Sequence, residues 1–369
     1  MRSSKDLMAE RILHQFAEGA FVGDAISDQV FTIQRWLRDL GFISEIYVEQ
    51  IQPALKKHVR PAREYRPASD ETCLIHHHAI GSAIAERLRG VRLPQILIYH
   101  NITPAEFFAR SNPDMAVYLK KGRQQMTEMV PSTCLALGDS HYNEVELRQA
   151  GFSRTGVLPI VLNEDDYSHH LNEALVEQNR ATRPLLLFVG RFAPNKRQED
   201  LIKLLYYVRR LRPEARLVLV GNASDREYVD WQRGLARDLG VDEAVSITGH
   251  VSHEDMLTYY RTADLYVSMS EHEGFGKPLI ESMYCGLPIL AYASSAVPDT
   301  LGGAGILFNR KDYEALAELV VLLLEDEALR HRIIERQFSR VQSFLESEVR
   351  TQFVGYLRQL NLLPDVSSP

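Results

Sequence analysis

Short apolar runs separated by amphipathic stretches recur along this chain. Leu185-Leu-Leu-Phe-Val189 is wholly apolar, as a strand covered on both faces should be, and Asp264 to Met269 and Leu287 to Tyr292 read the same way. Between such runs apolar residues return at helical spacing: Ile26, Val30, Ile33, Leu37 and Leu40 mark a helix that Gly41 ends. In the first half the pattern predicts strands at 11–16, 43–48, 72–75, 95–99, 133–137 and 156–160, with 17–24 a loop and 52–70 irregular. Pro104 and Pro113 open helices, and Ser140 caps one that ends at Gly151. The second half predicts strands at 185–189, 216–220, 244–248, 264–269, 287–292 and 304–308. Its helices are expected at 197–211, 225–239, 252–262, 312–325, 327–345 and 348–361. Strand and helix alternate throughout, which implies an α/β chain with one parallel, doubly wound sheet in each half. The acidic, weakly periodic stretch between the halves reads as a linker. The expected organisation is a first domain at 1–163, a linker at 164–183, a second domain at 184–345 and a closing helix in 346–369, with 365–369 frayed.

Composition narrows the class. A chain of 369 residues suggests about two domains. Its 45% apolar and 25% charged residues are ordinary for a globular protein, and a net charge of -7 argues against general nucleic-acid binding. Cys73, Cys134 and Cys285 lie far apart without metal spacing and read as small apolar residues in a reducing compartment. Met1 to Leu7 leads into no signal-peptide apolar region, and no run approaches the roughly 20 apolar residues that span a bilayer. The expected place is the cytoplasm, with peripheral contact at the inner membrane face as an option. Arg110, Lys120, Lys121 and Arg123 around the helix from Pro113 are the basic residues for such contact, although a solvated face over a normal core is favoured.

The chemistry concentrates in Glu271-His-Glu-Gly-Phe-Gly-Lys-Pro-Leu-Ile-Glu281. A strand precedes it, Pro278 suits a first helical position, and Gly286 with Pro288 stops the helix. Ligands of parallel sheets sit at the carboxyl ends of strands, so Glu273 lies in the loop mouth and Glu281 about one turn into the helix. The amides of Gly274 to Lys277, at the positive end of that helix, form an anion site between the two carboxylates. Two hydroxyl acceptors around a phosphate-sized site suit a nucleotide-sugar. A second stretch, Val189-Gly-Arg-Phe-Ala-Pro-Asn-Lys196, follows a strand in the same way. Gly190 allows close backbone approach, and Arg191 with Lys196 supplies the positive charge that a diphosphate leaving group requires. His76-His77-His78 has no partner ligands at metal spacing, and a role at a cleft edge in acceptor binding is the better reading. A dehydrogenase is disfavoured, because no strand is followed by Gly-x-Gly-x-x-Gly.

Together, Gly190-Arg191…Lys196 and Glu273-Gly-Phe-Gly…Glu281, whose glutamates are separated by seven residues, resemble the two signatures of the retaining glycosyltransferases of family 4, the group 1 transferases of the GT-B fold. The likeness continues through Ile247 to Val251, Glu281 to Leu290 and Val297 to Ile306, and is looser at Gly23-Asp24-Ala25, His100 and Asp139-Ser140. It implies two Rossmann-like domains facing a cleft, with the last helix crossing back to the first domain. It implies that Arg191 and Lys196 bind the donor diphosphate, that Glu281 binds the ribose and that Glu273 binds the transferred sugar. Gly190, Gly274, Phe275, Gly276 and Leu279 would touch sugar and phosphate, and Gly249, His250 and Val251 would line the base. His100 would reach towards the reacting bond. Gly19, Gly23 and Asp24 would approach the phosphates or acceptor on closure. The implied reaction is metal-independent, cofactor-free hexosyl transfer with retention, in surface polysaccharide or glycoconjugate assembly. The donor would be of the GDP-mannose or UDP-glucose type, with mannose favoured, and the acceptor a saccharide or lipid-linked saccharide. A front-face route is the usual proposal, and a Glu273 nucleophile the weaker one. A sugar-nucleotide epimerase or hydrolase of the same fold, and a non-catalytic two-lobed sugar-binding protein, are the alternatives.

Overall fold

The structure, a computed structural model, describes residues 11–364, so neither Met1 to Leu7 nor the fraying expected at 365–369 lies among the described residues. Contacts divide the chain into unit 1, Met1–Val161 with Gln352–Pro369, and unit 2, Leu162–Thr351.

Unit 1 holds strands β1 (Arg11–Ala20), β2 (Phe42–Ile43), β3 (Ile46–Ile51), β4 (Arg60–Pro61), β5 (Cys73–His78), β6 (Gln95–Tyr99), β7 (Thr133–Gly138) and β8 (Thr155–Val157). They form a parallel sheet in the order β4-β3-β1-β5-β6-β7-β8, with β2 beside the start of β1. The helices are α1 (Ala25–Asp39), α2 (Ala83–Arg89), α3 (Pro113–Glu128) and α4 (His141–Gln149). β1 runs four residues past its expected end, because Gly19 pairs with Gln50 and Ala20 with Ile51. The aromatic residues Phe16, Tyr47 and Tyr65 form one core cluster with Leu74, Ile84 and Leu88. The Phe16 ring stacks on Tyr47 at 5.3 Å and meets Tyr65 edge-on at 4.8 Å, contacts that add to area burial.

Unit 2 holds β9 (Leu185–Val189), β10 (Arg216–Val220), β11 (Val245–Gly249), β12 (Leu265–Ser268), β13 (Ile289–Tyr292) and β14 (Ile306–Phe308), parallel in the order β11-β10-β9-β12-β13-β14. Every residue of β9 is buried, as a central strand with helices on both faces requires. Its helices are α5 (Glu173–Ala181), α6 (Gln198–Leu211), α7 (Arg226–Asp238), α8 (His253–Thr262), α9 (Lys277–Tyr284), α10 (Val297–Leu301), α11 (Tyr313–Glu325) and α12 (Glu327–Val341). The stretch read as a linker is built into this unit instead. Asn172 caps α5 through the Leu175 amide, and its side-chain amide donates to Asp255 at 2.8 Å. Asn179 donates to Thr262 at 2.8 Å, so polar bonds lace α5 onto α8 without an apolar stripe to announce them.

A last helix, α13 (Glu346–Gln359), carries the chain back into unit 1. There Phe353, fully buried, lies 5.9 Å from the Trp36 ring, and the Val157 amide donates to the Tyr356 hydroxyl at 3.1 Å. Among the described residues no helix is long and apolar enough to cross a membrane.

Candidate active site

Unit 2 gathers its predicted residues at the carboxyl ends of β9, β11 and β12. Beyond β9 the chain turns through Gly190 and Arg191 into a 3-10 turn, Pro194–Lys196, that aims Lys196 at the next loop. Lys196 Nζ donates to both oxygens of Glu273, at 2.6 Å each, with side chains only 18% and 13% exposed. Water and salt screen such a pair far less than a surface pair. Two hydrogen bonds hold the loops in register. The Glu271 amide donates to the Asn195 carbonyl at 2.8 Å, and the Asn195 side chain donates to the His272 carbonyl at 3.0 Å. The Glu273 amide donates to Ser295 Oγ at 2.7 Å, and the Ala296 amide donates to the Glu273 carbonyl at 3.2 Å. Arg191 is exposed, and no ion pair to a described residue holds its guanidinium. It is therefore available to an anion beside Lys196.

Gly276 sits at φ +87 as the N-cap of α9, with no side chain capping the helix; Pro278 occupies its second position rather than its first. The positive end of α9 thus faces the loop of Glu273. The Leu279 amide donates to the Gly276 carbonyl at 2.9 Å, and the Leu279 side chain is buried. The Phe275 side chain is also buried, edge-on to Phe344 at 5.5 Å, while its carbonyl accepts from Thr300 Oγ1 at 2.5 Å. Phe275 and Leu279 thus pack the loop from beneath, and any ligand contact falls to backbone around Gly274 and Gly276.

Glu281 is 4% exposed, and each of its oxygens already accepts a hydrogen bond. Tyr167 donates to Oε1 at 2.8 Å and Tyr260 to Oε2 at 2.6 Å. Burial first, and then the nearby carboxylate, push both phenols well above their ordinary value, so they stay donors at every physiological pH. The sequence reading missed both tyrosines: Tyr167 lies in the presumed linker, and Tyr260 reads as an ordinary buried residue of α8. Gly249, at φ +73, ends β11 and leads through His250, which is exposed, and Val251, half-buried, to Ser252, the cap of α8.

Unit 1 holds the remaining predicted residues. Gly19 lies inside β1, Gly23 turns at φ +75, and Asp24 caps α1 by accepting from the Ser27 amide at 2.9 Å. His100 follows β6 and is buried. Its Nδ1 lies 2.9 Å from Asp139 Oδ2, and its Nε2 lies 3.0 Å from His77 Nδ1. His77 Nε2 in turn lies 3.0 Å from Gln15 Oε1, while Gln15 Nε2 donates to the Val30 carbonyl at 3.1 Å. These contacts dictate the protons. The Gln15 oxygen accepts, so His77 carries its proton on Nε2. Burial, and then the charge of His100, drive the His77 value well below the ordinary one, so its Nδ1 is bare. His100 therefore donates from Nε2, and a second proton lies between His100 Nδ1 and Asp139. Both ring nitrogens of His100 are thus engaged inside unit 1.

His76 and His78 point to the other face of β5, with His76 Nδ1 3.1 Å from Met129 Sδ and His78 Nε2 2.9 Å from the Gly122 carbonyl. All three histidines are buried, which corrects the expectation of a cleft-edge role. On α3, Lys121 pairs with Glu86 at 2.7 Å and Arg123 with Glu146 at 3.2 Å, so two of the four basic residues considered for membrane contact are committed elsewhere.

Residues 172–340 match the family model described as glycosyl transferases group 1. Over 190 residues the chain is 30% identical to the GDP-mannose-dependent monoacylated alpha-(1-6)-phosphatidylinositol monomannoside mannosyltransferase of Corynebacterium glutamicum, a match covering 46% of this chain and 49% of that protein. Over 178 residues it is 28% identical to the O-antigen chain mannosyltransferase B of Escherichia coli, covering 47% and 45%. The chain spans about half the length of the curated relatives it matches. The crystal structure of Anabaena HepE in complex with UDP and glucose aligns at a TM-score of 0.76 and 17% identity, over 95% of this chain and 100% of that one. That of WaaG, a glycosyltransferase involved in lipopolysaccharide biosynthesis, aligns at 0.71 and 16%, over 93% and 99%. The fold is GT-B, with two parallel-sheet, Rossmann-like domains, and the family match falls within unit 2.

Proposed function

We propose that the protein is a retaining, metal-independent glycosyltransferase that moves a hexose, mannose by preference, from a nucleoside-diphosphate sugar to a saccharide or lipid-linked acceptor. The observation that carries this reading is the Lys196–Glu273 pair, at 2.6 Å, beside the exposed Arg191 on the loops beyond β9 and β12. A bound diphosphate would take Lys196 from Glu273 and add Arg191. Glu273 would then be free for the hydroxyls of the sugar that moves. Negative charge builds on the diphosphate as the anomeric bond breaks, and two cations with the positive end of α9 stabilise it there. Fixed cations replace a divalent ion, so EDTA should leave turnover unchanged. Glu281, held by Tyr167 and Tyr260, keeps unused lone pairs for ribose hydroxyls. The preference for GDP-mannose and for a lipid-linked acceptor rests on the mannosyltransferases to which the chain is similar.

Release of GDP from GDP-mannose, and of UDP from UDP-glucose, measured with and without polyprenyl-diphosphate-linked saccharide, tests this. Acceptor-dependent release is expected. Glu273→Gln, Arg191→Ala and Lys196→Ala should each lower it at least about tenfold, the loss of one transition-state contact. Wild-type rates in all three variants would sink the assignment. Release that ignores acceptor would instead favour a hydrolase.

A further inference from the structure

Behind the Lys196–Glu273 pair lies a second charge cluster in which no residue touches Glu273. Asp200, in the first turn of α6, is 0% exposed. It accepts from Lys311 Nζ at 2.9 Å, Tyr313 Oη at 2.8 Å, Arg197 Nε at 3.0 Å and Lys203 Nζ at 3.3 Å. Burial alone would raise its carboxyl, but the donors outweigh burial and hold it at about 2. Lys311 Nζ also donates to Glu271 Oε1 at 2.8 Å, and Arg197 Nε lies 3.4 Å from the same oxygen. Lys311, on the loop after β14, sits over the Tyr292 ring of β13 at 4.8 Å.

This cluster joins the loops beyond β9, β12 and β14. Its members flank the candidate pair in sequence: Arg197 follows Lys196, and Glu271 precedes Glu273 by two residues. Arg197 sits at φ +56, a left-handed conformation that is unfavourable for a non-glycine residue. A fully buried carboxylate is likewise unfavourable until partners offset it. Both unfavourable features persist on the segment between β9 and α6 that carries Lys196, and Glu271 ties that segment to the loop of Glu273.

We infer that Asp200 and Lys311 are positioning residues: through Glu271 and Arg197 they hold the two loops so that Glu273 meets the transferred sugar when Lys196 turns to the diphosphate. The inference rests on the proposed role of Glu273. Its test needs no acceptor. Calorimetry gives Kd for GDP and GDP-mannose, and for UDP and UDP-glucose, with each protein. In the wild type one sugar nucleotide should bind at least about tenfold tighter than its diphosphate, and Glu273→Gln should reduce that preference below about threefold. Lys311→Met should reduce it equally while leaving the diphosphate Kd within about threefold, and Lys311→Arg should restore it. Lys311→Met added to Glu273→Gln should do nothing more, since one acts through the other. Should Lys311→Met not fold, Glu271→Leu removes the oxygen that Lys311 and Arg197 share and carries the same expectation. A preference kept in Lys311→Met or Glu271→Leu, or a further loss in the double variant, overturns the inference alone. No preference in the wild type, or a preference kept in Glu273→Gln, overturns the role of Glu273 and the inference with it.

Discussion

Among the described residues four that are not glycine sit at positive φ: Asn101, Arg197, Ser295 and Asn361. Three of them adjoin candidate residues. Asn101 follows His100, Arg197 follows Lys196, and Ser295 accepts from the Glu273 amide. Strain of this kind persists where surrounding structure over-determines it, and it picks out candidate residues in both units. The buried histidines of β5 make a second residue-scale statement, about pH. Burial is the main cause that drives His76 and His77 well below the ordinary imidazole value and His78 to about 4. Below pH about 6.5 the unfolded chain takes up these protons and the folded one does not, so stability falls as pH falls, by about 1.4 kcal/mol per pH unit per histidine. His14, also lowered by burial, adds to them, while Asp139, Glu18 and Glu71, raised by burial, work in the opposite sense from ordinary carboxylate values that lie lower. Thermal melts from pH 8 to 5 should therefore show a falling Tm, and His76→Leu should flatten the slope. An unchanged slope would contradict the neutral histidine cluster.

At the scale of elements, the junction of β9 and β10 decides how the Arg191 loop leaves the sheet. The Gly190 amide donates to the Val220 carbonyl at 2.8 Å, and the Phe192 amide to the Asn222 carbonyl at 2.9 Å. Gly221 lies between them at φ +145, and a Cβ there would stand 2.1 Å from the Gly190 carbonyl oxygen. Gly221→Ala must therefore displace the backbone at Gly190 and Arg191. Nucleotide affinity should fall at least about tenfold, or about 1.4 kcal/mol. Gly234→Ala in α7, where a Cβ meets only an arginine side chain at 4.0 Å, should leave affinity unchanged and stabilise by up to about 1 kcal/mol. Calorimetric Kd values of the two variants, side by side, check both claims; equal affinities would show that Gly221 does not shape the site.

For the whole molecule the proposal makes a regional claim. A nucleotide held by unit 2 alone stabilises that unit by mass action, about 2.7 kcal/mol at a hundredfold excess over Kd. Hydrogen exchange with GDP or UDP should therefore slow in the loops after β9, β11 and β12. Amides of β5, β6 and β7 should change little. Equal protection of both units, or protection confined to unit 1, would place the nucleotide elsewhere.

Local pattern determined much of this protein. The α/β alternation is written in continuous apolar runs and helical spacing, because a strand covered on both faces must be apolar throughout. The motif loops were legible for a related reason: glycine, proline and charged residues have few reasons to follow a buried strand unless the loop binds something. Tertiary structure alone decided the rest. The last four residues of β1 become strand only by pairing with β3, and α5 belongs to unit 2 only through amide contacts to α8. Tyr167 and Tyr260 meet Glu281 across 114 and 21 residues of chain, and Lys311 reaches Asp200 across 111. The line from Gln15 through His77 and His100 to Asp139 crosses four strands. Such contacts leave no periodicity, because each depends on where two distant backbones come together. The local sequence names the groups that bear charge; only the fold sets which of them share a proton or a partner.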